Sequence, residues 1–271
     1  MKDYTLGLYE KAMPNHLTVT EKLKLAKQAG FDYVEISIDE TDEKLSRLKS
    51  KDFMREAAKA RKETNMPVKT MCLSGHRKYP LGDKNPSVTA RSLEIMRGAL
   101  DFSSELGVRI IQLAGYDVYY ETGDEKTRGN FEENLRKCVN MAAKAGIVLA
   151  FETMETEFMN TVGKAMYYVN LINSPYLQIY PDIGNIRNAA EDSIADIQTG
   201  AGHIVAAHLK ETKENIYRDL EYGQGRVDFD GCIKELRKQG VCIFACEFWY
   251  DNKSGPLEYI QKNKKYIDGR F

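Results

Sequence analysis

Glu152, Asp182, His208 and Glu247 each close a short apolar run: Val148-Leu-Ala-Phe-Glu152, Leu177-Gln-Ile-Tyr-Pro-Asp182, Ile204-Val-Ala-Ala-His208 and Ile243-Phe-Ala-Cys-Glu247. Runs of this length read as strands buried on both faces. One acidic residue at a strand end caps a helix or pairs with an arginine as readily as it does chemistry. Four such ends meeting at one mouth are different, because three buried carboxylates at short range cannot all stay ionised without a cation. A divalent metal removes the conflict. Three oxygen donors and one imidazole suit Mn²⁺ best, with Mg²⁺, Co²⁺ or Zn²⁺ also admissible, whereas a structural zinc site would favour thiolates.

For those four ends to meet, the strands must be neighbours in a closed parallel sheet. Four earlier strands are read over 5–8, 33–38, 68–72 and 110–113, and helices fill the spaces between strands. Thr18-Val-Thr-Glu21 is a capping box that opens the first helix, which stops at Gly30. Phe131, Leu135, Cys138, Val139 and Ala142 share one helical stripe ending at Gly146, and Asp228 caps a helix that runs to Gln239 before Gly240. Four helices end in Gly and lead at once into a strand, a small repeat that marks a βα module. Eight modules give a single (β/α)₈ TIM barrel in one domain over 1–271. A doubly wound sheet would carry a Gly-rich phosphate turn after its first strand, and no GxGxxG stands there. Residues 41–48 are read as an extra helix or lid-like insertion.

The composition excludes several classes. With 42% apolar and 29% charged residues the chain is ordinary for a globular protein, and 271 residues suit one barrel. A net charge of −1 gives no general attraction to nucleic acid or to an anionic membrane. No run approaches the roughly 18 to 20 apolar residues of a membrane helix, and the start, Met1-Lys-Asp-Tyr, leads into a strand instead of a signal core, so a cytoplasmic protein is expected. The five cysteines are odd in number and lack CxxC spacing, which reads as free core thiols; Cys242 and Cys246 are placed on one face of the last strand. Of the other histidines, His16 lies in the loop after strand one and His203 at the wrong end of the barrel. His76, in Cys72-Leu-Ser-Gly-His-Arg-Lys78, is placed at the active mouth as a substrate contact.

The strings GLYEKAMP, VEISIDETDEKLSRL, MCLSGHRKYPLG, IIQLAGYDVYY, YPDIGN, GHIVAAHLKETK and GQGRVDF span nearly the whole chain. On these strings the sequence resembles the L-ribulose-5-phosphate (L-xylulose-5-phosphate) 3-epimerase branch of the xylose isomerase-like barrels, enzymes of L-ascorbate degradation. The resemblance implies that Glu152, Asp182, His208 and Glu247 bind the metal and that Glu152 and Glu247 also exchange the proton. The chemistry agrees: inverting a carbon beside a ketone needs a base on one face and an acid on the other, with a metal stabilising the enediolate between them.

A sugar-phosphate substrate also needs an anion site, for which Lys210, His76 and Arg77 rank highest, with the Gly223-Gln-Gly225-Arg226 loop nearby. Asn185 is read as a sugar contact; relatives acting on unphosphorylated ketoses tend to carry histidine there, which favours the phosphate branch. Glu35, Tyr116, Asp117, Tyr119 and Tyr120 are expected to line the pocket or its rim, Glu155 and Glu157 to be loop surface. The resemblance implies a homodimer. The rivals are weaker. A free-ketose 3-epimerase or aldose–ketose isomerase differs only at the substrate end. A multi-metal endonuclease would need more than four histidines and a basic groove. A retaining glycosidase has no use for Asp182 and His208. A scaffold that had lost turnover would lack a proton-transfer carboxylate, and both are present.

Overall fold

The structure, a computed structural model, describes residues 2–271; Met1, where the reading of the chain's start begins, lies outside them. Eight strands alternate with helices: β1 (Thr5–Tyr9), α1 (Val19–Gln28), β2 (Tyr33–Ile38), α2 (Asp42–Ser46), α3 (Lys51–Thr64), β3 (Val68–Leu73), α4 (Pro86–Leu106), β4 (Ile110–Ala114) and α5 (Glu125–Ala145) form the first half. The second half runs β5 (Val148–Glu152), α6 (Val162–Ile172), β6 (Leu177–Ile179), α7 (Ile183–Ala189), α8 (Ser193–Thr199), β7 (Ala207–Lys210), α9 (Phe229–Lys238), β8 (Ile243–Glu247) and α10 (Pro256–Asp268). Every strand pairing is parallel, in the order β6-β5-β4-β3-β2-β1-β8-β7. The two ends of that order meet through the bridges Ile179↔Ile204 and Asp182↔His208 and through three backbone hydrogen bonds, Ile179 N–H to His203 O at 2.9 Å, Val205 N–H to Ile179 O at 3.0 Å and His208 N–H to Pro181 O at 2.9 Å. The sheet is a TIM barrel.

The helix boundaries follow local chemistry. Thr18 and Glu21 form the reciprocal capping box of α1, Asp228 caps α9 through Gly231 N–H at 2.9 Å, and Gly107 and Gly146 end α4 and α5 in the left-handed region. The insertion after β2 is α2, capped by Thr41. β1, β3 and β4 each run one residue further than the sequence reading, and two strands differ from it by more. β6 ends at Ile179 instead of reaching Asp182, because Pro181 has no N–H for the ladder and Asp182 is already the cap of α7, accepting from Asn185 N–H at 2.9 Å. β7 begins at Ala207 instead of Ile204 and continues past His208 to Lys210, so His208 lies inside its strand. Cys242 is exposed just before β8, while the other four thiols are buried, and all five are free.

Apolar residues pack on both sides of the strands. The large core lies between sheet and helices, and a small plug of Ile110, Ala150, Tyr180 and Ala206 fills the barrel's lower interior. Period-two alternation then aims every second residue inward, which carries Glu152 above Ala150, Glu247 above Ala245, and His208 and Lys210 above Ala206. Gly7 makes room for Tyr33, since a Cβ there would stand 2.2 Å from the Tyr33 ring, whose hydroxyl donates to Phe244 O at 2.9 Å. At the upper rim Glu10 ties four elements together. Its carboxylate meets Lys22 (2.9 Å), Lys44 (2.6 Å) and Arg47 (2.9 Å) and accepts from Ser37 N–H at 2.9 Å, anchoring α1 and the α2 insertion to β1 and β2. Among the described residues no helix is long and apolar enough to cross a membrane.

Candidate active site

The barrel brings Glu152, Asp182, His208 and Glu247 together: one ligand atom from each lies within 4.8 Å of all the others, and all four residues are buried. Glu152 and Glu247 are the last residues of β5 and β8, Asp182 is held by the cap of α7, and His208 projects from β7. The His208 Nδ1 faces the carboxylates, 2.7 Å from Glu247 Oε2 and 3.4 Å from Glu152 Oε1. The other ring nitrogen, Nε2, bonds Glu35, and Tyr180 packs on the ring edge-on at 4.9 Å between centroids. Lys210 Nζ stands 2.6 Å from Asp182 Oδ2 and 3.9 Å from Glu247 Oε2.

The charges in this cluster do not balance. Burial, reinforced by the charges of Glu247 and Glu152 and opposed by Lys210, pushes the Asp182 carboxyl up to about 8. Burial and Glu247 likewise raise Glu152. Glu247 is held low because Lys210 and His208 outweigh its burial. His208 is raised well above the ordinary imidazole value, since Glu35 and Glu247 overcome desolvation of the ring. Asp182 Oδ2 and Glu247 Oε2 are buried yet accept no hydrogen bond of good geometry, despite the nearby Lys210 ammonium and His208 ring. Two orphaned carboxylate oxygens facing an imidazole nitrogen and a third carboxylate are a donor set that can hold a divalent metal. The pairing of His208 with Glu35 is the carboxylate–histidine arrangement that fixes a ligating imidazole.

Above the cluster a cavity is lined by Glu152, Glu247, Asn185 and Lys210 at its floor. Tyr9, Lys11, Arg77, Glu155, Arg218 and Trp249 form its walls with a few neighbours. Asn185 lines this cavity, donates to Thr153 O at 2.7 Å and leaves its Oδ1 buried without a partner. Several residues stand elsewhere than the sequence reading expects. His76 does not line the cavity: it is buried, its Nε2 is spent on Ser92 O of α4 at 3.1 Å, and burial lowers it to about 4, so it brings no charge for a phosphate. Glu35 does not line it either; it lies behind His208, accepting from Thr70 Oγ1 at 2.7 Å and Tyr180 OH at 2.9 Å. Lys210 lines the floor, but its ammonium lies among the carboxylates of the cluster. His203 is structural, bonded to Gln178 Oε1 at 3.1 Å.

Glu155 belongs to the cavity wall and not to the loop surface, and Lys11, Arg218 and Trp249 were not singled out from the sequence at all. All four follow closely on strand ends or sit in the loop after β7, so position just beyond a barrel strand was the available signal. A roomier depression on the outside, between α5 and α6, presents Asp117, Arg128, Glu132 and Tyr167 without a convergent ligand set.

The family model of xylose isomerase-like TIM barrels matches residues 23–269. The chain is 42% identical to L-ribulose-5-phosphate 3-epimerase UlaE of Escherichia coli O157:H7, over 100% of this chain and 96% of that protein. Solved structures of the same fold include a D-allulose 3-epimerase from Methylomonas sp. in complex with D-allulose, with TM-score 0.82, 17% identity and coverage of 100% and 98% of the two chains. Another is the IOLI protein with a bound zinc atom, with TM-score 0.81, 19% identity and coverage of 98% and 99%. The chain belongs to the xylose isomerase-like TIM barrels and, within them, to the L-ribulose-5-phosphate 3-epimerase family; it is an isomerase, a carbohydrate epimerase.

Proposed function

We propose that this epimerase interconverts L-ribulose 5-phosphate and L-xylulose 5-phosphate by removing the C3 proton on one face and returning a proton on the other, with Glu152 and Glu247 as the two proton carriers. The observation that carries this reading is the pair itself: two buried glutamates ending β5 and β8, separated by β6 and β7 on the rim and both lining the floor of one cavity. Two carboxyls converging on one cavity from different strands are the acid and base that inversion requires.

Glu152, Asp182, His208 and Glu247 would hold the metal, for which the oxygen-rich set favours Mn²⁺. When bound, a divalent cation stabilises negative charge on the substrate oxygens next to the reacting carbon. The chain's own residues do the rest. Lys210 and Asn185 offer donors and an acceptor to the sugar oxygens at the floor, and the cavity walls hold the sugar over the two glutamates. Glu35 keeps the His208 ring in one orientation. The reading places the enzyme in the cytoplasm, in L-ascorbate and pentose catabolism, as a homodimer.

Proton NMR of L-ribulose 5-phosphate in D₂O with Mn²⁺-loaded enzyme tests it. Deuterium should enter at C3 as L-xylulose 5-phosphate forms, and Glu152→Gln or Glu247→Gln should each slow this by about 10²- to 10⁴-fold. Exchange at C1, or turnover of a free ketose alone, would move the function to an isomerase or a free-sugar epimerase.

A further inference from the structure

We propose that Glu211 is a positioning residue for the reaction: its carboxylate staples together the two ends of the loop after β7 and so sets where Tyr217 and Arg218 stand in the cavity wall. The proposal rests on the epimerase reading and adds to it a residue that touches no substrate.

Glu211 directly follows Lys210, the last residue of β7, and is only 3% exposed. The cations near it in sequence pair elsewhere, Lys210 with Asp182, Arg218 with Glu155 and Arg226 with Glu214. Backbone amides meet the carboxylate instead. Its Oε1 accepts from Thr212 N–H at 3.1 Å and Val227 N–H at 3.2 Å, and its Oε2 accepts from Gly223 N–H at 2.9 Å. Amides converging on an anion bind it more strongly than they would a neutral acceptor. Thr212 opens the loop and Val227 closes it, and Arg226 N–H draws the same ends together by bonding Thr212 O at 2.9 Å. Gly225 lies against this staple, where a Cβ would stand 2.2 Å from Glu211 Oε1 and 2.2 Å from Thr212 O.

The tip between those ends is held more loosely. Lys213 and Ile216 bond each other through their backbones, at 3.0 Å in each direction, and residues 213–216 are exposed. Tyr217 and Arg218 come next, and both line the cavity. Arg218 reaches the far wall by its side chain: Nη2 stands 3.2 Å from Glu155 Oε1, an oxygen that also accepts from Tyr119 OH at 2.9 Å, and the guanidinium lies 5.8 Å from the Trp249 ring centroid. A compact loop with joined ends and an exposed tip takes its direction from its base. Releasing one amide at Glu211 therefore shifts the wall groups relative to the two glutamates, and a misplacement of about 1 Å is enough to be felt in the kinetics.

The test compares Mn²⁺-loaded wild type, Glu211→Gln, Glu211→Asp and Gly225→Ala in the conversion of L-ribulose 5-phosphate. Glutamine puts an NH₂ where one oxygen accepted, so it cannot serve all three amides. Glu211→Gln should raise KM by about tenfold and lower kcat by less than about threefold. Glu211→Asp keeps the charge and should recover part of the loss, while Gly225→Ala leaves the carboxylate but displaces the loop and should raise KM as well. In a Tyr217→Ala/Arg218→Ala background, Glu211→Gln should add no further rise in KM, because the groups it positions are gone. Two readouts do not depend on turnover. Trp249 is the only tryptophan, so Glu211→Gln should make its fluorescence more open to acrylamide quenching. In hydrogen exchange the Gly223 and Val227 amides should be protected in wild type and lose that protection in Glu211→Gln. An unchanged KM in folded Glu211→Gln, a fully additive rise in the double-alanine background, or fast exchange of both amides in wild type would overturn the proposal. If wild type exchanges no C3 proton, the epimerase reading fails, and the fluorescence and amide readouts still decide the staple.

Discussion

Two buried charge clusters stand at the same end of this barrel on opposite balances. Around Glu10, one carboxylate meets two lysines and an arginine, and a backbone N–H completes its shell. Around His208, four carboxylates, those of Glu35, Glu152, Asp182 and Glu247, share one imidazole and one lysine, and two of their oxygens are left without a hydrogen bond. Burial alone does not separate them, since both are inaccessible. What separates them is completeness: the first satisfies its anion and so fixes structure, while the second holds an excess of anion that only a further cation can satisfy.

The largest expected effect is on folding. Glu10→Gln leaves three cations without their anion and should cost about 3–5 kcal/mol in chemical denaturation. Asp182→Asn should leave the metal-free protein as stable as wild type or more so, because the amide replaces a carboxyl that the crowded site already drives toward its neutral form. If both lose stability alike, the contrast breaks. Acid sharpens it further. Burial would raise the Glu10 carboxyl, but Lys44, Lys22 and Arg47 hold it well below its ordinary 4.5. A depressed carboxyl contributes its full stability above the unfolded value and loses it as pH falls toward the folded one. The stability gap between wild type and Glu10→Gln should therefore hold above pH 4.5 and narrow below it.

The next effect is the response to metal. Mn²⁺ at a hundredfold excess over its Kd should stabilise wild type by about 2.7 kcal/mol. The same increment should appear in Glu10→Gln and vanish in Asp182→Asn, read as a shift of the unfolding midpoint with added metal. A smaller effect belongs to Glu35. Glu35→Gln should weaken Mn²⁺ by about ten- to hundredfold in calorimetry, because the His208 ring loses the carboxylate that orients it. Unchanged affinity would make Glu35 a core residue only.

Much of this architecture was legible in the chain. The strand runs, the Thr18–Glu21 box and the Gly107 and Gly146 stops are local signals, and the place of Glu152 and Glu247 at the ends of apolar runs carried their position at the barrel's mouth. What was not legible depends on contacts distant in sequence. The end of β6 depends on how Pro181 and the Asp182 cap divide the backbone, which periodicity cannot show. His76 looked like a mouth cation because Arg77 and Lys78 follow it; the α4 backbone that takes its ring lies sixteen residues on. Glu155 and Arg218 meet only because two loops fold over Tyr119, and no spacing records that. The Glu10 knot draws its partners from α1 and from the insertion after β2, and no motif announces it.

The irregular join between β6 and β7 has a mechanical meaning. Pro181 interrupts the hydrogen-bonded hoop there, so this is where amide protons of the barrel wall should exchange with solvent most readily. Asp182 and His208 flank the gap from its two sides. An ion bound to both would act as a clasp across the weakest stave joint, coupling the roundness of the barrel to the occupancy of its catalytic centre.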